Sequence, residues 1–251
     1  RVPLEDYNQI YDNMGSSKSI ASILVYPALD KESLITQTIT LKDSSFLGQK
    51  GVLGIIGAGN FTNMTVLPSL KESGAKLKSI ASSGGLSGTQ LAKKHGISQS
   101  TTNYKTILND KDVDTVIITT RHGSHAKFVV ESLNAGKHTF VEKPLALNQF
   151  ELDKIIEVYN SQQPTAKSQT LTVGFNRRFS PHLIKVKQSI GEKAGAVNII
   201  ATMNAGFISK DHWVHDLESG GGRIIGEACH LMDVCVFLNG SLIDSVCMNS
   251  V

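Results

Sequence analysis

Cysteine is scarce in this 251-residue chain: Cys229, Cys235 and Cys247 are the whole set. Their number is odd, and no Cys-x-x-Cys pair occurs. A disulfide framework and a zinc ribbon are both excluded as readings, and the three are expected to be buried thiols in a reducing, cytoplasmic setting. Long apolar runs are also lacking. None reaches the roughly 18–20 residues that cross a bilayer, and no signal-peptide pattern opens the chain. The excess of positive charge is slight, 25 basic against 22 acidic residues, and it is scattered along the chain. This is not the concentrated basic footprint of a nucleic-acid binder. What is present is an ordinary globular composition, 40% apolar and 19% charged, on a chain long enough for one large domain or two modest ones.

From residue 51 onward, short apolar runs alternate with helical stretches, the signature of a parallel α/β sheet. Strands are expected at 51–56, 76–82, 114–120, 138–143 and 171–175. The helices between them run to about Ser73 (kinked at Pro68), from Ser87 to Gly96, over 124–135, and from an Asn148 cap to about Asn160. A polar loop covers 161–168. The rhythm then changes: a helix over 181–190, a longer strand over 196–203, a helix over 222–238 and a strand over 243–248. This second part reads as α+β with a mostly antiparallel, open and unfinished sheet.

The run Gly-Ile-Ile-Gly-Ala-Gly-Asn-Phe-Thr puts Gly57 and Gly59, followed by Asn60 and Phe61, at the start of a G-x-G-x-x-G fingerprint. It follows a strand and opens a helix, the context in which such a turn holds a pyrophosphate. Thr62 stands where the third glycine or alanine is usual. The ribose-binding carboxylate expected some 20 residues on is missing, because the second strand ends in Ser82 and Ser83. Small hydroxyls there do not repel a 2′-phosphate, so NAD or NADP is expected, with a slight lean to NADP. A fourth strand ends Glu142-Lys143-Pro144. Ligands in open α/β sheets sit at the carboxyl ends of strands, where Lys143 can donate a proton or orient a hydroxyl.

Together with Thr-Thr-Arg-His-Gly-Ser-His125, Gly-Phe-Asn-Arg-Arg-Phe-Ser-Pro and Gly-Gly-Gly-Arg-Ile-Ile-Gly-Glu-Ala-Cys-His-Leu-Met-Asp, these segments resemble the glucose–fructose oxidoreductase / inositol dehydrogenase (Gfo/Idh/MocA) family. The resemblance runs over 51–250 in the family's order. It implies a Rossmann domain (51–168) followed by a substrate domain (169–251) with an open antiparallel sheet that could serve a homodimer. It also implies an NAD(P)-dependent oxidoreductase that moves hydride between nicotinamide and a secondary hydroxyl of a sugar, polyol or sugar nucleotide. A non-catalytic dinucleotide- or sugar-binding module is the alternative.

Residue by residue, the resemblance gives Lys143 a substrate-orienting or proton-transfer role and His230 that of acid–base histidine. Thr119, Thr120 and His125 would line the nicotinamide side. Glu142 would contact the cofactor ribose, with Asn176 and Arg177 at the cofactor–substrate junction. Where the family often carries an Asp four residues before the histidine, this chain has Gly226, and Glu227 is the candidate substitute. The stretch 211–216, with Trp213, His215 and Asp216, reads as a substrate-facing loop rather than a metal site. Residues 1–27 instead resemble the closing helix and strand of zinc-dependent medium-chain alcohol dehydrogenases, without their zinc ligands. Residues 1–50 are therefore expected to be the remnant of another module and a linker, and the chain a piece of a longer fusion.

Overall fold

A computed structural model of the chain describes residues 1–13, 21–26, 36–162, 169–191 and 197–249. They fall into two compact units, Arg1–Gln37 and Thr38–Val251. In the first, strand β1 (Val2–Pro3) leads through a 3₁₀ turn into helix α1 (Tyr7–Asp12), and β1 pairs in parallel with β2 (Leu24–Val25). Pro27, much of the linker expected up to residue 50, and the end of the loop expected over 161–168 lie outside the described residues.

The second unit is organised by a seven-stranded sheet. Its strands are β3 (Thr38–Thr40), β4 (Val52–Ile56), β5 (Lys76–Ala81), β6 (Gln99–Thr101), β7 (Thr115–Ile118), β8 (His138–Val141) and β9 (Leu171–Val173), in the order β3-β6-β5-β4-β7-β8-β9. Every pairing is parallel except that of β3 with β6. The chain steps outward from β4 to β6, then returns to β7 on the other side. The switch point of a doubly wound sheet therefore lies between β4 and β7. Alternation along β4 sends Leu53 and Ile55 to one face, against Leu67, Leu91 and Ile97. It sends Val52 and Ile56 to the other, against Val129, Leu133 and Ile155. A strand covered on both faces has to be apolar throughout, and all five residues of β4 are buried.

The covering helices are α2 (Leu67–Glu72), α3 (Leu86–His95), the short α4 (Lys105–Leu108), α5 (His125–Asn134) and α6 (Gln149–Ser161). Asn148 caps α6 as expected, its side chain accepting from Glu151 N at 2.9 Å, while the Glu151 carboxylate accepts from Leu147 N at 2.8 Å. The break expected at Pro68 takes the form of a wide π-type turn over Thr62–Val66, ahead of α2 with its proline in the first turn. Gly85, not Ser87, is the cap of α3, and Gly96 closes it in the left-handed region. After the sheet come α7 (Pro181–Ile190), capped by Ser180, and α8 (Cys229–Asn239), preceded by a second π-type turn over Ile224–Ala228.

Two expectations are corrected. The segment expected to be a linker up to residue 50 contributes β3 to the sheet edge. The strands expected over 196–203 and 243–248 are absent: 197–203 and 241–249 join no ladder among the described residues. β-Branched content supplies only a propensity, and a strand exists once a partner takes its hydrogen bonds. Ile200 and Val246 stay 88% and 79% exposed instead of packing on a sheet. The open antiparallel face expected to serve a homodimer is therefore not formed by the described residues.

Candidate active site

At the carboxyl end of β4 the chain turns on Gly57, whose φ is +118° and whose N–H donates to Ala81 O at 3.0 Å. A Cβ on this residue would lie 2.7 Å from the Thr119 carbonyl carbon, so only glycine fits. Thr62 turns out to be accommodated. It is fully buried, and its Oγ1 lies 2.7 Å from Thr119 Oγ1; both hydroxyls also reach Gly57 O, at 3.3 and 3.2 Å. The close helix–strand contact that a glycine usually permits is here made by a hydroxyl pair. Nothing stands within 4 Å of a Cβ built on Gly59, so the backbone is open to a ligand there.

In front of this turn lies a cavity of about 600 Å³ bounded by Gly57–Gly59, Ser82, Ser83, Ser87, Thr102, Tyr104, Thr120 and Phe128. Ser82 Oγ accepts from Gly88 N at 3.1 Å and so belongs to the turn, whereas Ser83 is exposed. Ser87, Thr102, Tyr104 and Phe128 were not expected here. Thr102 and Tyr104 follow β6, a three-residue polar strand (Gln-Ser-Thr) without an apolar signal of its own.

Thr120 is also part of a second cavity of about 390 Å³. It brings together Phe61, Thr119, His122, His125, Glu142, Lys143, Asn176, Arg177, Trp213, Glu227 and His230. Residues spread over 170 positions of chain are thus assembled from the carboxyl ends of β4, β7, β8 and β9, the turn at Trp213, the π-type turn before α8 and α8 itself. Asn60, His215 and Asp216 line neither cavity. The Asp216 carboxylate is used within its own loop, accepting from Glu218 N at 3.3 Å and from Ser219 N at 3.1 Å. The Ser219 hydroxyl is the main cause of its lowered pKa. No group of three or more His, Cys, Asp or Glu that could hold a metal occurs among the described residues.

Lys143 Nζ donates to Gly226 O at 2.7 Å and lies 3.9 Å from Glu227 Oε1. Arg177 Nη2 approaches Glu227 Oε2 at 3.4 Å, so Glu227 stands between two cations. Burial pushes the Glu142 carboxyl up to about 6. His230 is 5% exposed, and its Nδ1 finds no hydrogen-bond partner among the described residues. Burial first, then Lys143 and Arg177, bring its pKa down to about 4. His125 is completely buried, with Nδ1 2.8 Å from Pro144 O and Nε2 3.1 Å from Thr120 O. Burial keeps it below the ordinary histidine range. It ties the Glu142-Lys143-Pro144 strand end to the turn after β7.

The open approach to Gly59, the left-handed turn at Gly57 and the hydroxyl-lined cavity fit the pyrophosphate and adenosine of a dinucleotide, and the class of protein they define is the dinucleotide-binding Rossmann fold. Residues 52–170 match the model of the oxidoreductase family with NAD-binding Rossmann fold (GFO_IDH_MocA). Over that stretch the chain is similar to the Gfo/Idh/MocA oxidoreductases.

Among relatives, the uncharacterized oxidoreductase YrbE of Bacillus subtilis (strain 168) is 29% identical over 199 residues, covering 78% of this chain and 55% of that protein. Inositol 2-dehydrogenase of Salmonella paratyphi B is 38% identical over 87 residues, 35% of this chain and 25% of that protein. The chain thus spans about half the length of the Bacillus subtilis relative. In fold it resembles a levoglucosan dehydrogenase solved with NADH and levoglucosan, with TM-score 0.63, 24% identity, and coverage of 74% of this chain and 53% of that one.

Proposed function

We propose that the chain carries the cofactor site and the catalytic cleft of an NAD(P)-dependent oxidoreductase acting on a secondary hydroxyl of a sugar, polyol or sugar nucleotide. The seven-stranded sheet from Thr38 to Val173, with its covering helices, forms its cofactor domain, and the residues from Asn176 onward belong to its substrate domain. The observation that carries this reading is the meeting of Lys143, His230, Glu142 and Asn176 in one cavity that continues, at Thr120, into the glycine-turn cavity. Gly57, Gly59 and Ser83 would hold the dinucleotide. When bound, its nicotinamide supplies the hydride acceptor or donor.

The remaining chemistry falls to the protein. Lys143 Nζ, anchored by Gly226 O, orients the reacting hydroxyl. His230, neutral above about pH 4, offers an imidazole lone pair to the hydroxyl proton. Arg177 and Glu227 fix the far wall. The similarity to an inositol 2-dehydrogenase supports a polyol or sugar as the substrate class. A cytoplasmic setting belongs to the same reading, supported by three cysteines that are all free thiols, although none is buried as expected: Cys229 and Cys235 are half-buried and Cys247 is exposed.

The second reading, binding without turnover, is favoured by one observation: an imidazole held near 4 is a weak base at neutral pH. Calorimetry with NADH and NADPH, followed by hydride exchange on myo-inositol and related sugars, separates the two. Because Gly59 faces open space, Gly59→Asp should leave the fold intact and abolish dinucleotide binding. If neither dinucleotide binds the wild type at millimolar concentration, the proposal is lost; binding without exchange favours the second reading.

A further inference from the structure

His122 takes no part in the chemistry assigned above, yet it lines the same cavity as Lys143 and His230. Its Nδ1 lies 2.8 Å from Gly220 O. A carbonyl oxygen can only accept, so Nδ1 carries the proton and donates it. In the neutral ring, Nε2 is then a bare lone pair, and no hydrogen bond to it is formed among the described residues. Burial, the first cause, keeps the ring below the ordinary histidine range. The charged or titratable groups around it are Lys143 and His125, which act in the same direction, and Glu227, which opposes them. Arg121 stacks on the neighbouring Trp213 at 5.6 Å.

The ring is locked in place from three sides. Trp213 meets it edge-on at a centroid distance of 5.0 Å. Gly123 N donates to Ser219 O at 3.1 Å, which joins the turn after β7 to the loop that presents Gly220. A Cβ built on Gly226 would come within 3.3 Å of His122 Cε1, the carbon bonded to both ring nitrogens. The lack of a side chain at 226 is what leaves this edge of the imidazole room. Gly220 is constrained in the same way, since a Cβ there would lie 2.6 Å from Val214 Cα. Two glycines and a tryptophan thus seat one imidazole in a fixed tautomer at the wall of the cavity.

We propose that His122 is a specificity-determining residue of this cleft, its Nε2 accepting a hydrogen bond from a non-reacting hydroxyl of the polyol or sugar substrate. The proposal rests on the oxidoreductase reading above. An Nε2 lone pair accepts but does not donate, so it selects a free hydroxyl at that position against a keto, O-methyl or deoxy group.

The test uses two variants. The probe is whichever of myo-inositol, D-glucose and levoglucosan the wild-type chain turns over. His122→Asn keeps a donor for Gly220 O and removes the acceptor. It should raise KM about five- to tenfold, with kcat, cofactor affinity and melting temperature close to wild type. His122→Gln places a carbonyl near the Nε2 position and should recover most of the KM. A wild-type KM in His122→Asn overturns the proposal, as does an equal rise in both variants accompanied by a lower melting temperature.

If the wild type turns over none of the probes, the oxidoreductase reading fails first, and His122 is judged separately by ¹⁵N NMR. An Nδ1–H tautomer whose Nε2 resonance moves on addition of the three probes supports the assignment. An Nε2–H tautomer or an unmoved resonance overturns it.

Discussion

From Val52 to Val173 the chain closes its own core, whereas from Asn176 to Asn249 it scarcely has one. Val52, Ile55, Ile80, Val116, Ile118 and Val141 are completely buried within the sheet, and the helices it connects supply Leu67, Val129, Leu133 and Ile155. Beyond Ile155, only Val234 and Leu238 join the buried apolar set among the described residues. The later region is held by polar ties instead. Arg178 forms an ion pair with Asp233, Lys187 Nζ donates to Leu238 O at 2.8 Å, and Lys143 reaches across to Gly226 O at 2.7 Å. Area buried from water gives the first region its stability. The second supplies His230, Glu227 and Trp213 to the cleft and depends on the first for its placement.

The largest expected effect tests whether the two regions meet at one reacting centre. Lys143→Ala removes the group that joins them and should lower turnover of a polyol about a thousandfold. Dinucleotide affinity, measured by calorimetry, should stay nearly unchanged, because the glycine turn is untouched. Unchanged turnover would take Lys143 out of the chemistry and break the comparison at its centre.

A smaller effect follows from burial of His230. Its pKa in the folded chain, about 4, lies below the ordinary histidine value of 6.5. As pH falls from 6.5 towards 4, the unfolded chain gains a proton that the folded chain refuses. Stability should therefore drop by up to about 3 kcal/mol from this group alone. Glu142, raised to about 6, works in the opposite sense: its contribution is present at low pH and is lost as pH rises through 6. Denaturant titrations of wild type and His230→Gln across this range isolate the histidine, and parallel curves would count against its burial.

The smallest effect separates the regions directly. Asp233→Asn leaves the Arg178 guanidinium without its carboxylate. With Arg178 partly exposed, the expected loss is about 2 kcal/mol. Hydrogen exchange should speed up in α7 and α8 and remain slow in β4 and β7. Equal acceleration in both regions would mean that they unfold as one.

Much of the first region could be read in advance, since strands buried on both faces announce themselves as apolar runs and helices announce their caps. The Asn148 cap, the Gly96 stop and the five-residue run of β4 all fall where pattern puts them. β3, at the sheet edge, and β6, between β3 and β5, were missed because three-residue, mostly polar strands carry no apolar signature; only pairing makes them strands. The opposite error arose over 196–203 and 243–248, where the pattern suggested strands and, among the described residues, no partner takes the hydrogen bonds of 197–203 or 243–248. Within the site, Lys143, Glu142 and His230 stood out by motif and share one cavity. His215 and Asp216 stood out for polarity alone and do not line it. His122 stood inside a quoted motif without a role, because what marks it is a contact with Gly220, 98 residues away.

By itself the sequence determined the dinucleotide turn, the parallel sheet that carries it and the Glu142-Lys143-Pro144 strand end. These depend on local backbone needs and on periodicity, which neighbouring residues encode. The tertiary structure alone decided how Thr62 is accommodated by Thr119, how Gly226 makes room for His122, and which polar residues face a common cavity. Those outcomes depend on distances between segments far apart in the chain, and no local pattern records them.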